Sequence, residues 1–270
     1  MFDSPFDIIF CLTMTFLSYA GNTMIILVMT SPQAQPRAKT TRILFSFLAI
    51  NDMCFMTTFL FGMIQEHVLM NMQGIAFVNS LLRLTFRDFS NWILVVISTE
   101  RFLCIFRPLT VKNCCHKRCV ITALVLMFIA VFGQSLFRHL YDTDEELCLR
   151  LELIVCFAAP CIIITVETIA IAVKLRKIAK QQIRRNAPRQ QNNSATGLLI
   201  AANLCFIITM LPYRVVIHFG WIDINDDMFW TLIKNCVQLM TLNYVLNFYL
   251  YFAFNANFRQ DTLKLVGCKK

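Results

Sequence analysis

Seven stretches of roughly twenty apolar residues divide this chain, each long enough to cross about 30 Å of hydrocarbon at about 1.5 Å per helical residue. They run approximately Phe6 to Met29, Ile43 to Ile64, Gly74 to Phe102, Cys119 to Phe137, Leu149 to Val173, Gly197 to Trp221 and Met228 to Phe254. Lipid offers a backbone no hydrogen-bond partner, so a spanning segment must be a helix or part of a closed barrel. Runs this long and continuously apolar are helices. Of the 270 residues, 57% are hydrophobic and 15% charged, and 25 are Phe, more apolar mass than one soluble core of this size would use. The expected fold is all-α: one domain, residues 1–270, forming a seven-transmembrane helix bundle.

Seven spans put the termini on opposite faces, and the basic residues say which face is cytoplasmic. Arg37, Lys39 and Arg42 follow the first span, and Arg107, Lys112, Lys117 and Arg118 follow the third. Lys174, Arg176, Lys177, Lys180, Arg184, Arg185 and Arg189 follow the fifth, and Arg259, Lys264, Lys269 and Lys270 lie in the tail. The other face is acidic, with Asp3, Asp7, Asp142, Asp144, Glu145, Glu146, Asp223, Asp226 and Asp227. Positive-inside bias therefore sets the N-terminus outside and the C-terminus in the cytoplasm. The net charge of +9 is concentrated where anionic lipid and an intracellular partner would meet it, and it is not a nucleic-acid signature. The first span follows Asp3 and Asp7 and is too long for a signal-peptide core, so it is expected to act as its own insertion signal. Asn192-Asn193-Ser194 fits a glycosylation sequon but falls on the cytoplasmic side.

Polar residues inside such spans are costly and mark function. The third span closes with an acid and a base, Glu100-Arg101-Phe102, expected to pair with each other at the helix end, followed by Pro108-Leu109. The first carries Gly21-Asn22, and the second Leu48-Ala49-Ile50-Asn51-Asp52. Pro160 breaks the fifth, and the sixth reads Phe206-Ile207-Ile208-Thr209-Met210-Leu211-Pro212. The seventh ends Asn243-Tyr244-Val245-Leu246-Asn247-Phe248-Tyr249-Leu250-Tyr251, with Phe258-Arg259 beyond. In this order the set resembles the rhodopsin-like G-protein-coupled receptors, most closely in form the invertebrate neuropeptide receptors of the FMRFamide and thyrotropin-releasing-hormone type. The resemblance implies a short amphipathic eighth helix over 255–266, with Cys268 as a candidate palmitoylation site.

The same resemblance assigns Glu100, Arg101, Leu109, Phe206, Pro212, Asn247 and Tyr251 to activation and G-protein coupling. It also assigns Asp52, Ser90, Asn243 and Asn247 to an allosteric sodium site, where oxygen donors around one carboxylate suit a hard cation. A hydrated polar network without an ion is the alternative. No other cofactor is implied, and the chain is not expected to be an enzyme. The sequence departs from the family pattern at Phe248, which stands for a proline, at Met210 for a Trp, and at Thr168 for a Tyr. Ala76 stands where most members have the cysteine that bonds the second outer loop, so Cys148 has no evident partner and no outer disulfide is expected.

Arg83 and Arg87 are four apart on the stripe that holds Ser90 and Arg101, so both point into the outer half of the bundle. Like charges at that spacing repel, and Glu66, Glu152 or a ligand carboxylate would offset them. Asp88 is expected to face elsewhere, toward helix four or five, as a structural residue. Arg214 lies two residues past Pro212. Arg83, Arg87, Arg214, Glu152 and Glu66 are thus candidate ligand contacts, suited to a polar, peptide-sized extracellular ligand; internal salt bridges that touch no ligand are the alternative. The expected partners are an extracellular peptide, a heterotrimeric G protein and the lipid bilayer, at the plasma membrane. A non-signalling orphan or decoy, or a transporter or channel, is the rival reading.

Overall fold

A computed structural model describes residues 5–32, 39–68, 73–107, 117–140, 150–184, 193–219 and 226–267. These residues form α1 (Pro5–Thr30), α2 (Lys39–Val68), α3 (Gln73–Phe106), α4 (Lys117–Leu140), α5 (Ala159–Arg184), α6 (Asn193–Phe219), α7 (Asp226–Phe254) and α8 (Ala256–Leu265). One π-helical turn, Leu153–Ala158, precedes α5. The first seven helices make the transmembrane bundle. α3 packs against α2, α4 and α5; α6 packs against α5 and α7; α1 touches both α2 and α7 and so closes the ring.

Burial is distributed as a bilayer demands. Large apolar side chains face outward, among them Phe16 at 73% exposure, Ile162 and Ile208, while polar residues such as Asp52, Ser90 and Thr85 are fully enclosed. Among the described residues, six helical segments are long and apolar enough to cross a membrane. α7 is less apolar because its sequence is interrupted by Lys234, Asn235, Gln238, Asn243 and Asn247. Of these, the half-buried Lys234 Nζ and Gln238 Nε2 donate to the buried Asp7 carboxylate at 2.5 and 2.9 Å, pinning α7 to α1. The helix that begins the fifth span continues past Val173 to Arg184, carrying its basic residues out of the hydrocarbon on a regular turn.

Two local features follow directly from residue type. Pro160 has no N–H to give the carbonyl four residues back, and the chain before it relaxes into the π turn, with the Ala159 N–H bonding Ile154 O. The freed Cys156 carbonyl accepts from Asn91 Nδ2 of α3 at 2.9 Å. At Gly21, a Cβ would sit 2.9 Å from Phe248 Cβ, so glycine is what lets α1 and α7 approach. Beside it, Asn22 Nδ2 and Ser18 Oγ both donate to Tyr244 O, at 3.2 and 3.1 Å.

α8 starts where Asn255 leaves helical geometry and its side chain accepts from the Phe258 N–H at 3.1 Å, an N-cap. Phe258 is buried against Phe248 and Tyr251, anchoring the short helix under α7. Gly267, at φ 78°, ends it.

Candidate functional site

A cavity of about 410 Å³ opens at the end of the bundle where α1 and α7 begin. Phe55 and Phe59 of α2, Arg83 and Arg87 of α3, Arg138 of α4, Tyr213 of α6, and Phe229, Trp230 and Met240 of α7 are among its walls. Arg83 and Arg87 share this space because they are one helical turn apart, as their spacing predicts.

Behind the cavity lies a charge cluster that joins four elements. Arg87 Nε and Nη2 donate to the two oxygens of Asp88, at 2.8 and 3.1 Å. Arg214 Nη2 of α6 donates to the same Asp88 at 2.8 Å. The Glu152 carboxylate, just before the π turn, accepts from Arg87, Arg214 and Arg138 together. Arg87, Asp88, Glu152 and Arg214 are all nearly inaccessible, whereas Arg138 keeps 35% of its side chain exposed. Buried charges of this density persist only when paired and hydrogen-bonded. Tyr213 and Phe157 rings lie 5.8 Å from the Arg87 and Arg214 guanidinium carbons, adding cation–π contacts.

Two expectations change here. Asp88 does lie toward α4 and the segment before α5, lining a cleft with Gln134, Arg138 and Glu152, but it is not set apart from the arginines: it accepts from two of them, reached because a guanidinium on a long stem can fold back onto the next residue. Glu152 and Arg214 do not line the large cavity but stand one layer behind it. Arg138 and Asp88, absent from the sequence-derived set, join it; both also line a small neighbouring cleft with Gln134 and Leu84. The Glu66 side chain lies outside the described residues, as do Leu109, Cys148 and Cys268.

Midway along the bundle, Asp52 is fully buried. Ser90 Oγ donates to its Oδ1 at 2.9 Å and Asn247 Nδ2 to its Oδ2 at 2.6 Å, so three of the four candidate sodium residues converge. Asn243 is buried nearby in sequence but makes no bond to Asp52, and its Nδ2 has no partner among the described residues. Carboxylate, hydroxyl and amide oxygens are the donor set a hard monovalent cation takes; Asp52 and Ser90 present such oxygens here, whereas Asn247 turns its Nδ2 to Asp52 and the unpartnered atom of Asn243 is also an Nδ2, so both amides would have to turn their oxygens inward to complete the set.

At the opposite end of α3, Glu100 is held by α2 and not by its neighbour Arg101. Thr40 Oγ1 donates to Glu100 Oε1, and Thr41 Oγ1 reaches both oxygens at 3.2 and 3.1 Å. The expected Glu100–Arg101 pairing is thereby corrected: adjacent helical residues diverge by about 100°, and Glu100 turns inward to α2 while Arg101 stays half-exposed. Tyr251 packs edge-on against Phe45 with centroids 4.8 Å apart, and lines a small cavity with Phe206, Ser98 and Asn203. Pro212 sits inside α6, between Met210 and Arg214. A further intramembrane carboxylate, Glu167 of α5, accepts from Thr99 Oγ1 at 2.8 Å.

Comparison with known proteins agrees with this arrangement. Residues 21–253 match the family model described as 7 transmembrane receptor (rhodopsin family). A 93-residue stretch is 29% identical to "Probable G-protein coupled receptor AH9.1" of Caenorhabditis elegans, a match that takes in 34% of this chain. It covers only 22% of that relative's length. With the family model spanning all but the ends of the sequence, the chain belongs to the rhodopsin family of seven-transmembrane receptors.

Proposed function

We propose that this multi-pass membrane receptor lies in the plasma membrane with its N-terminus outside, binds an extracellular peptide in the outer cavity, and activates a heterotrimeric G protein at the cytoplasmic end. The observation that carries the reading is the layout of α3. Arg83 and Arg87 line the cavity at one end of this single helix, and Glu100 and Arg101 stand at the other, Arg87 and Arg101 being about 21 Å apart along the axis. A rigid helix with a ligand-sized cavity at one end and an exchangeable polar contact at the other can couple two sites, provided ligand and partner each prefer one packing of the bundle.

The peptide favours the packing in which α6 moves away from α3 at its inner end. Pro212 within α6 and the π turn before α5 are the deformable points. Glu100 gives up Thr40 and Thr41, and Arg101 with Leu109 and the basic third cytoplasmic segment meets the G protein. Phe206, Asn247 and Tyr251 repack around the same movement. Asp52, Ser90 and Asn247, with Asn243 beside them, are the residues that would hold an allosteric sodium ion, which would supply a fixed positive charge to the resting packing. Cys268 carries a lipid that fixes α8 to the inner leaflet.

A second reading, a seven-helix protein that binds but does not signal, is favoured by Met210 and Thr168 in place of the family's Trp and Tyr; the Thr168 hydroxyl is buried without a partner among the described residues. One experiment separates the two. The receptor is co-reconstituted with a panel of G proteins and guanine-nucleotide exchange is followed with candidate peptides; signalling predicts ligand-driven exchange that Arg101→Ala abolishes. Exchange unaffected by that substitution refutes the role given to Arg101, and binding without exchange across the panel establishes the second reading.

A further inference from the structure

The chemistry of the outer cavity selects which end of a ligand can enter it, an inference that rests on the receptor reading above. The charged residues along its walls are Arg83, Arg87 and Arg138, and no acidic side chain among the described residues lines it. The two acids behind them are already engaged: both oxygens of Asp88 and both of Glu152 accept from guanidinium groups. A guanidinium carries five N–H donors and a carboxylate has two oxygens, so donors exceed acceptors in the cluster. Arg87, Arg138 and Arg214 set three positive charges against the two negative charges of Asp88 and Glu152.

A ligand ammonium entering here would face arginines and find no carboxylate on the wall. A ligand carboxylate would meet planar, forked donors shaped for it. The rest of the lining is apolar or aromatic, including Phe55, Phe59, Phe229, Trp230, Ile233 and Met240. We propose that the cavity receives the carboxylate end of an amphipathic ligand, an acid carried on an apolar or aromatic body, with Arg83, Arg87 and Arg138 as the donors that hold it. Arg87 shares Glu152 with Arg214, so an incoming carboxylate competes with Glu152 for Arg87 and loosens the tie between α3 and α6.

The test uses the full chain in lipid nanodiscs and two matched probe pairs: N-dansyl-Leu-Phe as the free acid and as its C-terminal amide, and decanoic acid against decanamide. Acid binding at least about tenfold tighter than the matching amide is expected, the size of one charge-assisted bond. Arg87→Gln strips a partner from both buried acids and endangers folding, so the variants are Arg83→Gln and Arg138→Gln. Each should weaken acid binding severalfold and leave the amide unchanged. Tighter binding of the dipeptide acid assigns a peptide terminus, and tighter binding of decanoic acid assigns a fatty acyl ligand. An amide that binds as well as its acid, or failure of every probe to bind, overturns the proposal. Acid-selective binding without nucleotide exchange on any G protein would leave this assignment standing and remove the signalling reading; exchange driven by amides or amines alone would do the reverse.

Discussion

Glu152→Gln is the most informative single change, because one carboxylate serves three arginines from three helices. The substitution keeps size and one carbonyl acceptor but removes the charge and one acceptor oxygen. Three guanidinium groups are then balanced by Asp88 alone among the described acids of the cluster, and Arg214, behind the cavity wall, is too deeply buried for water to replace what is lost. Removing one partner of a buried ion pair costs about 3–5 kcal/mol. With roughly 2–4 °C of midpoint per kcal/mol for a chain of this size, the unfolding midpoint should fall by about 6–20 °C. Arg138 is the most exposed of the three, so Glu152→Gln combined with Arg138→Gln restores charge balance without exposing a buried cation. The double variant should recover about 1–3 kcal/mol of the loss, the coupling expected of residues in direct contact. The assay is thermal unfolding of the purified receptor in nanodiscs, wild type, both singles and the double run together at one salt concentration. A Glu152→Gln midpoint equal to wild type, or a double variant at the sum of its singles, would refute the claim that this carboxylate organises the cluster.

Gly21→Ala places a methyl 2.9 Å from Phe248 Cβ and should lower stability by about 1–3 kcal/mol, whereas Gly133→Ala, with nothing within 4 Å, should be neutral or slightly stabilising; equal thermal midpoints for the two would contradict the close α1–α7 approach. Asn91→Leu leaves the Cys156 carbonyl without its donor at the π turn and should cost about 1–3 kcal/mol in the same assay. Replacing choline with sodium should raise the wild-type midpoint, and Asp52→Asn should abolish that shift; a sodium shift retained in Asp52→Asn would place the ion elsewhere. Thr41→Val removes two of the bonds that hold Glu100 to α2 and should raise ligand-independent nucleotide exchange severalfold, with unchanged basal exchange counting against that contact as a resting-state latch.

What the sequence makes legible is whatever depends on local period. Arg83 and Arg87 share a cavity because a spacing of four sets them on one stripe; that Ser90 and Asn247 meet Asp52 is what the resemblance to the receptor family implies, and spacing alone does not give it. The remaining partners lie far apart in the chain or break that period. Thr40 and Thr41 meet Glu100 across some sixty residues, a pairing set by how α2 leans on α3, which no local pattern encodes. Asp88 lies about 100° around the helix from Arg87, so periodicity assigns it to another face; the flexible arginine stem defeats that rule. Arg138 looks like an ordinary basic residue at a helix end until Glu152 is seen to arrive beside it. The π turn adds a residue to one turn and rotates everything before it, which makes the inward face at Glu152 hard to count from Pro160.

The unequal satisfaction of polar groups along α6 indicates where the bundle can open. Near its outer end α6 is clamped by Arg214, whose guanidinium bonds Asp88 and Glu152 with charge on both sides. Near its inner end the polar contact to α5 is the Asn203 Nδ2 to Thr165 Oγ1 bond at 3.5 Å, at the limit of hydrogen-bond length. Asn203 Oδ1, Ser98 Oγ and Thr168 Oγ1 are buried there without partners among the described residues. Each such group carries a desolvation cost of about 1–3 kcal/mol that the closed packing leaves uncompensated. Separating the inner ends of α3, α5 and α6 would return these groups to water or to a polar partner, whereas separating the outer ends first requires breaking buried ion pairs. An outward swing of α6 about Pro212 is therefore cheaper at the end away from Arg214, and in the proposed function the Arg214 clamp is the element on which a ligand would act.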